Sequence, residues 1–274
     1  MRKKSKLIPI LLMIVCIALS AVVIIPFLVI FLNSFKGVRE AAMFNLALPS
    51  ELVFSNYLQV FQQTNILRGF MNSFFISGSV VFCINLFASM AAFLIQRRDN
   101  KFLKFIYYFF IVGLIMPVAI VPTIKLMHDL NINGTYFSII MYYTGVMLPF
   151  GTFLFVGFMK NIPRELDEAA LLEGCSFLKL FYRIIMPLVS PVIITVTIVV
   201  MLFVWNDFTG PFYLVTDVSK WTIVLMIFNF ITQYSTNWGV VFAFMMLVIS
   251  PVLLTYFLLQ KYIIGGLTVG SVKG

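Results

Sequence analysis

Six long apolar runs separated by short polar stretches organise the chain. They cover residues 9–32, 69–95, 102–127, 137–158, 188–210 and 240–264. Each is long enough to cross a bilayer as a helix, because the hydrocarbon core is about 30 Å thick and a helix rises about 1.5 Å per residue. The pattern predicts an all-α membrane protein of about six transmembrane helices. A seventh apolar run, 221–231, is too short to span. It is expected as an interfacial or re-entrant segment on the outer side, or as an extra short helix. The longest connection, 33–68, contains Leu48-Pro49-Ser50 and Ser55-Asn56-Tyr57 and predicts a short helix over 55–62.

Prolines punctuate the runs at Pro26, Pro117, Pro122, Pro149, Pro191 and Pro251. A membrane helix tolerates proline where neighbours or water satisfy the freed carbonyl. Pro117 and Pro122 together predict a bend or an unwound turn in the third span. Ordinary kinking and a pathway-lining helix that bends during gating are both open.

Composition agrees with the pattern. Apolar residues make up 62% of the 274 residues and charged ones 11%, against roughly half and a quarter in a soluble domain. The length suits several spans with loops, and leaves no room for an ATPase domain besides. The net charge of +9 does not point to nucleic acid, because the basic residues lie in short clusters between apolar runs. That arrangement is what membrane topology requires. With residues 1–8 inside, the inner segments hold Arg2, Lys3, Lys4, Lys6, Arg97, Arg98, Lys101, Lys104, Lys160, Arg164, Lys179, Arg183, Lys261 and Lys273. The outer segments hold only Lys36, Arg39, Arg68, Lys125 and Lys220. Both termini are therefore expected in the cytosol. The first run lacks a small-residue cleavage pattern and reads as a retained signal anchor.

Candidate chemistry is sparse. Cys16, Cys83 and Cys175 have no metal or disulfide spacing and read as small apolar side chains. His128 is the only histidine and stands beside Asp129, as a surface residue would. No catalytic or metal site is expected. No G-x-x-x-x-G-K-[ST] loop occurs, so the chain is not expected to cradle nucleotide phosphates. Asn72 and Asn85 fall inside the second run and are expected to form interhelical hydrogen bonds. Asn206 and Asp207 lie near the outer end of the fifth run. They can line the mouth of a pathway or contact an outer partner; Asp207 can equally be a local cap.

The most informative stretch is the cytosolic loop 160–187. It predicts two short helices around a sharp corner. Pro163 suits a first helical turn, and Glu165, Asp167 and Glu168 cluster where a helix dipole favours anions. Gly174 can take the left-handed conformation that ends a helix, and Ser176 can cap the next one. Leu166, Ala169, Ala170 and Glu173 share one helical face. Such a helix can insert into a partner groove or lie on lipid headgroups, and physics alone leaves both open.

Glu168-Ala169-Ala170, Gly174 and Ile185-Met186-Pro187 resemble the EAA loop of bacterial ABC-importer permeases. Glu173-Gly174-Cys175 stands where that family commonly has Asp-Gly-Ala, and Met186-Pro187 where it has Leu-Pro. The tail from Gln260 through Gly265-Gly266 to Gly274 is similar to the carbohydrate-uptake branch, the maltose-type G permeases, as are Trp205-Asn206-Asp207-Phe208 and Ser55-Asn56-Tyr57. The resemblance implies a type I ABC-importer permease (MetI-like) architecture, a single transmembrane permease domain over 9–274. It implies that Glu165, Glu168, Ala169, Ala170, Gly174 and Pro187 couple the chain to an ATPase. The implied partners are a nucleotide-binding dimer carrying ATP and Mg, a second homologous permease, an extracytoplasmic solute-binding protein and membrane lipid. The implied cargo is a sugar or oligosaccharide. The alternatives are a non-sugar solute or an ion-coupled secondary transporter, which would show ionisable residues within spans and paired repeats.

Overall fold

The computed structural model describes residues 7–231 and 236–269, with only the helical backbone given for 7, 8 and 255–269. Arg2, Lys3, Lys4, Lys6 and the end of the tail at 270–274, with Lys273, lie outside the described residues. Among the described residues every regular element is helical. In chain order these are α1 (Leu7–Asn33), α2 (Val38–Ala41), α3 (Ser55–Gln63), α4 (Ile66–Arg97), α5 (Lys101–Ile115), α6 (Ile120–Asp129), α7 (Tyr136–Met159), α8 (Glu165–Leu172), α9 (Phe177–Leu180), α10 (Met186–Leu188), α11 (Ser190–Asn206), α12 (Thr209–Leu214) and α13 (Trp238–Val269). One turn of π-helix, Phe181–Ile185, joins α9 to α10.

Among the described residues three helices are long and apolar enough to cross a membrane alone: Pro9–Asn33 within α1, α4, and α7. Two bent pairs raise the number to five. In the first, the run expected over 102–127 breaks into α5 and α6, whose axes differ by 119°. Pro117 has no N–H to continue α5 and pushes the residue before it out of the helical region. Met116 accordingly sits at φ −71°, ψ 132°. Pro122 falls in the first turn of α6, where no donor is needed. The bend expected there is thus a complete break. The second pair, Phe177–Leu188 and Ser190–Asn206, bends by 74°.

The chain forms two compact units, one of Met1–Ile66 with Met226–Leu253 and the other of Leu67–Leu225 with Leu254–Gly274. In the first unit, α1 exposes its side chains from residue 9 to 28, as a lipid-facing or partner-facing helix would. Beyond its end the chain is knotted by amides. Asn33 donates to the Val29 and Asn45 carbonyls at 2.7 and 2.9 Å. The fully buried Lys36 ammonium reaches Asn33 Oδ1 at 3.1 Å and Asn45 Oδ1 at 2.7 Å. Asn56, from the expected short helix, donates to the Ser34 and Lys36 carbonyls, both at 2.9 Å. Gly239 permits this close approach, since a Cβ there would stand 2.7 Å from Asn56 Nδ2 and from the Lys36 carbonyl oxygen.

The second unit is built on α4. Its buried residues Ile76, Val80, Ile84, Ala88 and Ala92 recur every four positions, which keeps them on one helical stripe. Against that stripe and its neighbours pack Ile139, Tyr143, Phe155 and Met159 of α7 and Val192, Val196, Val200 and Val204 of α11. Asn85 donates to Thr197 Oγ1 at 2.9 Å, the interhelical bond expected of it. Asn72 does something different in part: it donates to the Ser219 and Trp221 carbonyls and accepts from Tyr136. The apolar run 221–231 is not a short α-helix. It holds a 3₁₀ turn, Leu225–Asn229, and its Thr222, Ile223 and Leu225 are buried.

Gly151 of α7 faces both α4 and α11. A Cβ there would lie 2.7 Å from Ile84 Cγ2 and 3.1 Å from Ala88 Cβ, whereas at Gly157 it would meet nothing within 4 Å. Gly151→Val should therefore destabilise by about 1–3 kcal/mol through overpacking and lower the thermal denaturation midpoint of the detergent-purified protein. Gly157→Ala, inside the same helix with room for the methyl, should hold that midpoint or raise it slightly.

Candidate functional site

The loop between α7 and α11 folds as the expected pair of helices around a corner. α8 carries Glu165, Asp167 and Glu168 in its first turn, where they complement the unpaired N–H groups and the dipole. Pro163 lies two residues ahead of α8 rather than in its first turn. At the far end Gly174 has φ +77°. Its N–H bonds the Leu171 carbonyl and the Cys175 N–H bonds the Ala170 carbonyl, both at 3.0 Å. This is a Schellman closure, which needs a left-handed residue at that position. Cys175 packs partly buried against the core, so Glu173-Gly174-Cys175 forms a complete corner. Ser176 then caps α9 by accepting from the Lys179 N–H. Pro187 stands in the first turn of α10, immediately after the π turn. The helix breaks again at Val189.

α8 has two faces. Asp167 and Ala170 are buried. Glu165, Leu166, Glu168, Ala169, Leu172 and Glu173 are exposed, Leu172 to 89%. The expectation that Ala169 and Ala170 present one surface is corrected: Ala170 turns into the protein and Ala169 faces out. The shared face narrows to Leu166, Ala169 and Glu173, with Glu165, Glu168 and Leu172 beside it.

The buried face is anchored on the last turn of α4. Arg97 Nε meets Asp167 Oδ2 at 2.6 Å, with side-chain exposures of 8% and 12%. Arg97 Nη2 reaches Asp167 Oδ1 at 3.3 Å, and Nη1 donates to the Ile162 carbonyl at 3.2 Å. From the other side Arg164 donates to the Gln96 carbonyl at 2.8 Å. Gln96 itself donates to the Val156 carbonyl of α7 at 3.2 Å. The Arg98 guanidinium lies 5.5 Å over the Phe177 ring, and Phe93 packs on Phe177 and Phe181. Sequence reasoning counted Arg97 only as an inner charge and Asp167 only as a helix-start anion. They stand 70 positions apart, so no local spacing announces the pair.

Burial pushes the Asp167 carboxyl above its ordinary value, outweighing the downward pull of Arg97 and Arg164. A carboxyl raised in the fold binds its proton more readily there. Its contribution to stability is therefore greatest below its unfolded pKa and is lost as pH rises through the folded one. At neutral pH the ionised pair fixes position rather than adding net stability.

At the end of α11, Asp207 is fully engaged as a corner. Its Oδ2 accepts from the Tyr143 hydroxyl and the Gly210 N–H, both at 2.9 Å, and its Oδ1 from the Thr209 N–H at 3.1 Å. The cap among the alternatives is the one the geometry carries. Asn206 is exposed and bonds the Leu202 carbonyl at 2.8 Å. An apolar cavity of about 490 Å³ lies among α5, α7 and α11, lined by Phe109, Phe110, Phe150 and Phe203 with Gly113 and Pro149. Its lining suits an apolar group.

Residues 84–268 match the family described as the binding-protein-dependent transport system inner membrane component. The chain is 34% identical over 94% of its length, and 94% of the relative's, to the "probable starch degradation products transport system permease protein AmyC" of Thermoanaerobacterium thermosulfurigenes. It is 29% identical to the melibiose/raffinose/stachyose import permease protein MelC of Bacillus subtilis, over 91% of each chain. It is 32% identical to the multiple sugar-binding transport system permease protein MsmG of Streptococcus mutans, over 92% of each. Its fold is similar to a chain in the crystal structure of a bacterial ABC transporter involved in the import of the acidic polysaccharide alginate. The TM-score is 0.85 at 19% identity, over 96% of this chain and 98% of that one.

Removing the corner acceptor should cost stability. Asp207→Ala leaves the Tyr143 hydroxyl and two backbone N–H groups without their partner, a loss of about 1–3 kcal/mol. Thermal denaturation of the purified protein should show that loss, and no change for Asn206→Ala.

Proposed function

The chain belongs to the family of binding-protein-dependent transport system inner membrane components, and on that basis we propose that it is a permease subunit of an ATP-driven importer for a sugar or oligosaccharide. The observation that carries the reading is the exposed face of α8. It is a short helix held by its buried side to α4, with Ala169, acidic residues and exposed leucines turned outward. Such a face suits insertion into a groove on a partner.

In this reading ATP and Mg reside on a separate nucleotide-binding dimer whose cleft receives α8. A solute-binding protein delivers cargo at the outer side, and a second homologous permease completes the pathway. Closure of the dimer on ATP displaces α8, and the spans alternate between inward- and outward-open arrangements. The basic clusters set the orientation, with both termini and α8 in the cytosol. The relatives' names support a saccharide cargo, since starch products, raffinose-type sugars and multiple sugars all fall in that class. The ion-coupled alternative has less support, because the charged residues of α1, α4, α5, α7 and α11 stand only in first or last turns, and Lys125 of α6 and Lys261 of α13 are the charges that stand farther inside an apolar helix.

Reconstitution of the chain with its partner subunits tests the proposal. Saccharides presented with the binding protein should stimulate ATP hydrolysis and uptake into proteoliposomes. Uptake driven by an ion gradient without ATP would contradict it.

The corner glycine offers a sharper test. Nothing lies within 4 Å of a Cβ at Gly174, so a side chain there meets only the backbone strain of positive φ, about 1–2 kcal/mol and more for a β-branched residue. Gly174→Val should insert normally yet lower ATP-dependent uptake by roughly tenfold or more. Unchanged uptake would count against a docking role for α8.

A further inference from the structure

Movement of α8 has three routes into the membrane. One covalent route goes back to α7 through the irregular turn 160–164, whose Ile162 carbonyl Arg97 itself holds. The other covalent route runs through the Gly174 corner, the short α9, the π turn Phe181–Ile185 and the break at Val189 before it reaches α11. Each of these is a joint at which the chain can bend, and the last already turns by 74°. A push on α8 along this route alone would be absorbed by the joints.

The third route, across to α4, is short and stiff. The Arg97 guanidinium makes two bonds to Asp167 and a third to the Ile162 carbonyl, so it grips the approach to α8 and its first turn together. A planar guanidinium fork fixes direction as well as distance. Arg164 returns a bond to the Gln96 carbonyl, so the two segments clasp each other with a donor from each side. At this end α4 reaches α7 through Gln96 and the Val156 carbonyl, and farther back, in mid-helix, it reaches α11 through Asn85 and Thr197.

We propose that the Arg97–Asp167 pair is the link that transmits movement of α8 to α4, and through α4 to α7 and α11. Both are positioning residues, and the inference rests on the docking role given to α8 above. The burial of both side chains supports this role. A pair kept only to tether a loop gains little from burial, where desolvation offsets the attraction. A pair that carries displacement needs the fixed geometry that burial and the third bond supply.

The test uses the assembled complex in proteoliposomes, with ATP hydrolysis and solute uptake measured on the same preparation. Arg97→Gln and Asp167→Asn should co-purify with the nucleotide-binding subunits and hydrolyse ATP at rates near wild type. Their uptake per ATP should fall about tenfold. A second variant separates linkage from charge. Arg97→Cys with Asp167→Cys, in a background carrying Cys16→Ala, Cys83→Ala and Cys175→Ala, can be bridged by a short bis-thiosulfonate reagent. Bridging should restore uptake per ATP to at least half that of the background, and reduction should abolish it again. Unchanged uptake per ATP in both single variants, loss of the nucleotide-binding subunits from them, or bridging without recovery would each overturn the proposal. If the wild-type complex itself shows no ATP-dependent uptake, the transporter reading fails instead.

Discussion

In hydrocarbon a backbone N–H or C=O has no water to turn to, and the rest of this structure follows from that constraint. The chain answers it with helices, and several polar side chains inside them fold back onto their own backbone. Ser77 donates to the Ser73 carbonyl, Ser89 to that of Asn85, Thr195 to that of Pro191 and Asn206 to that of Leu202, each four residues back. Prolines are admitted where a neighbour yields. Pro149 sits inside the unbroken α7 opposite Gly113, where a Cβ would come within 3.2 Å of the proline ring. The breaks between α5 and α6 and at Val189 place irregular backbone between apolar helices, and such backbone is tolerated beside protein or a water-filled path.

With the helix interiors given over to lipid and packing, polar recognition moves to the ends. The first unit has its knot of Asn33, Lys36, Asn45 and Asn56 beyond α1. The second has the clasp of Arg97, Asp167 and Arg164 at the end of α4. Both satisfy buried polar groups completely enough to hold irregular chain in one conformation, which is what a loop needs if it is to present a face to another protein. In the second unit that face is the outer side of α8.

Much of this was legible in the sequence, and the reason is that local chemistry is local. The apolar runs are covered by helices because length and apolarity are properties of a window. Gly174, Ser176 and Pro117 declared their roles because positive φ, a hydroxyl cap and a missing N–H act on adjacent residues. The likeness to the importer permeases rested on Glu168-Ala169-Ala170 and Gly174, and it agrees with the family to which the chain belongs. What stayed hidden is what depends on tertiary neighbours. Ala169 and Ala170 are indistinguishable by composition, yet α4 decides that one is covered. Arg97 looked like a topology signal and is also an anchor. Asp207 could have lined a pathway mouth, met an outer partner or capped its own helix end, and it forms a corner that accepts from Tyr143, Thr209 and Gly210.

The central claim is that the outward face of α8 seats in a partner ATPase. Photo-crosslinking side chains placed singly at Ala169, Leu172 and Ala170 in the assembled complex test it most directly. The account expects adducts with the nucleotide-binding subunit from Ala169 and Leu172, and none from the covered Ala170. Adducts with lipid alone from all three positions would contradict it.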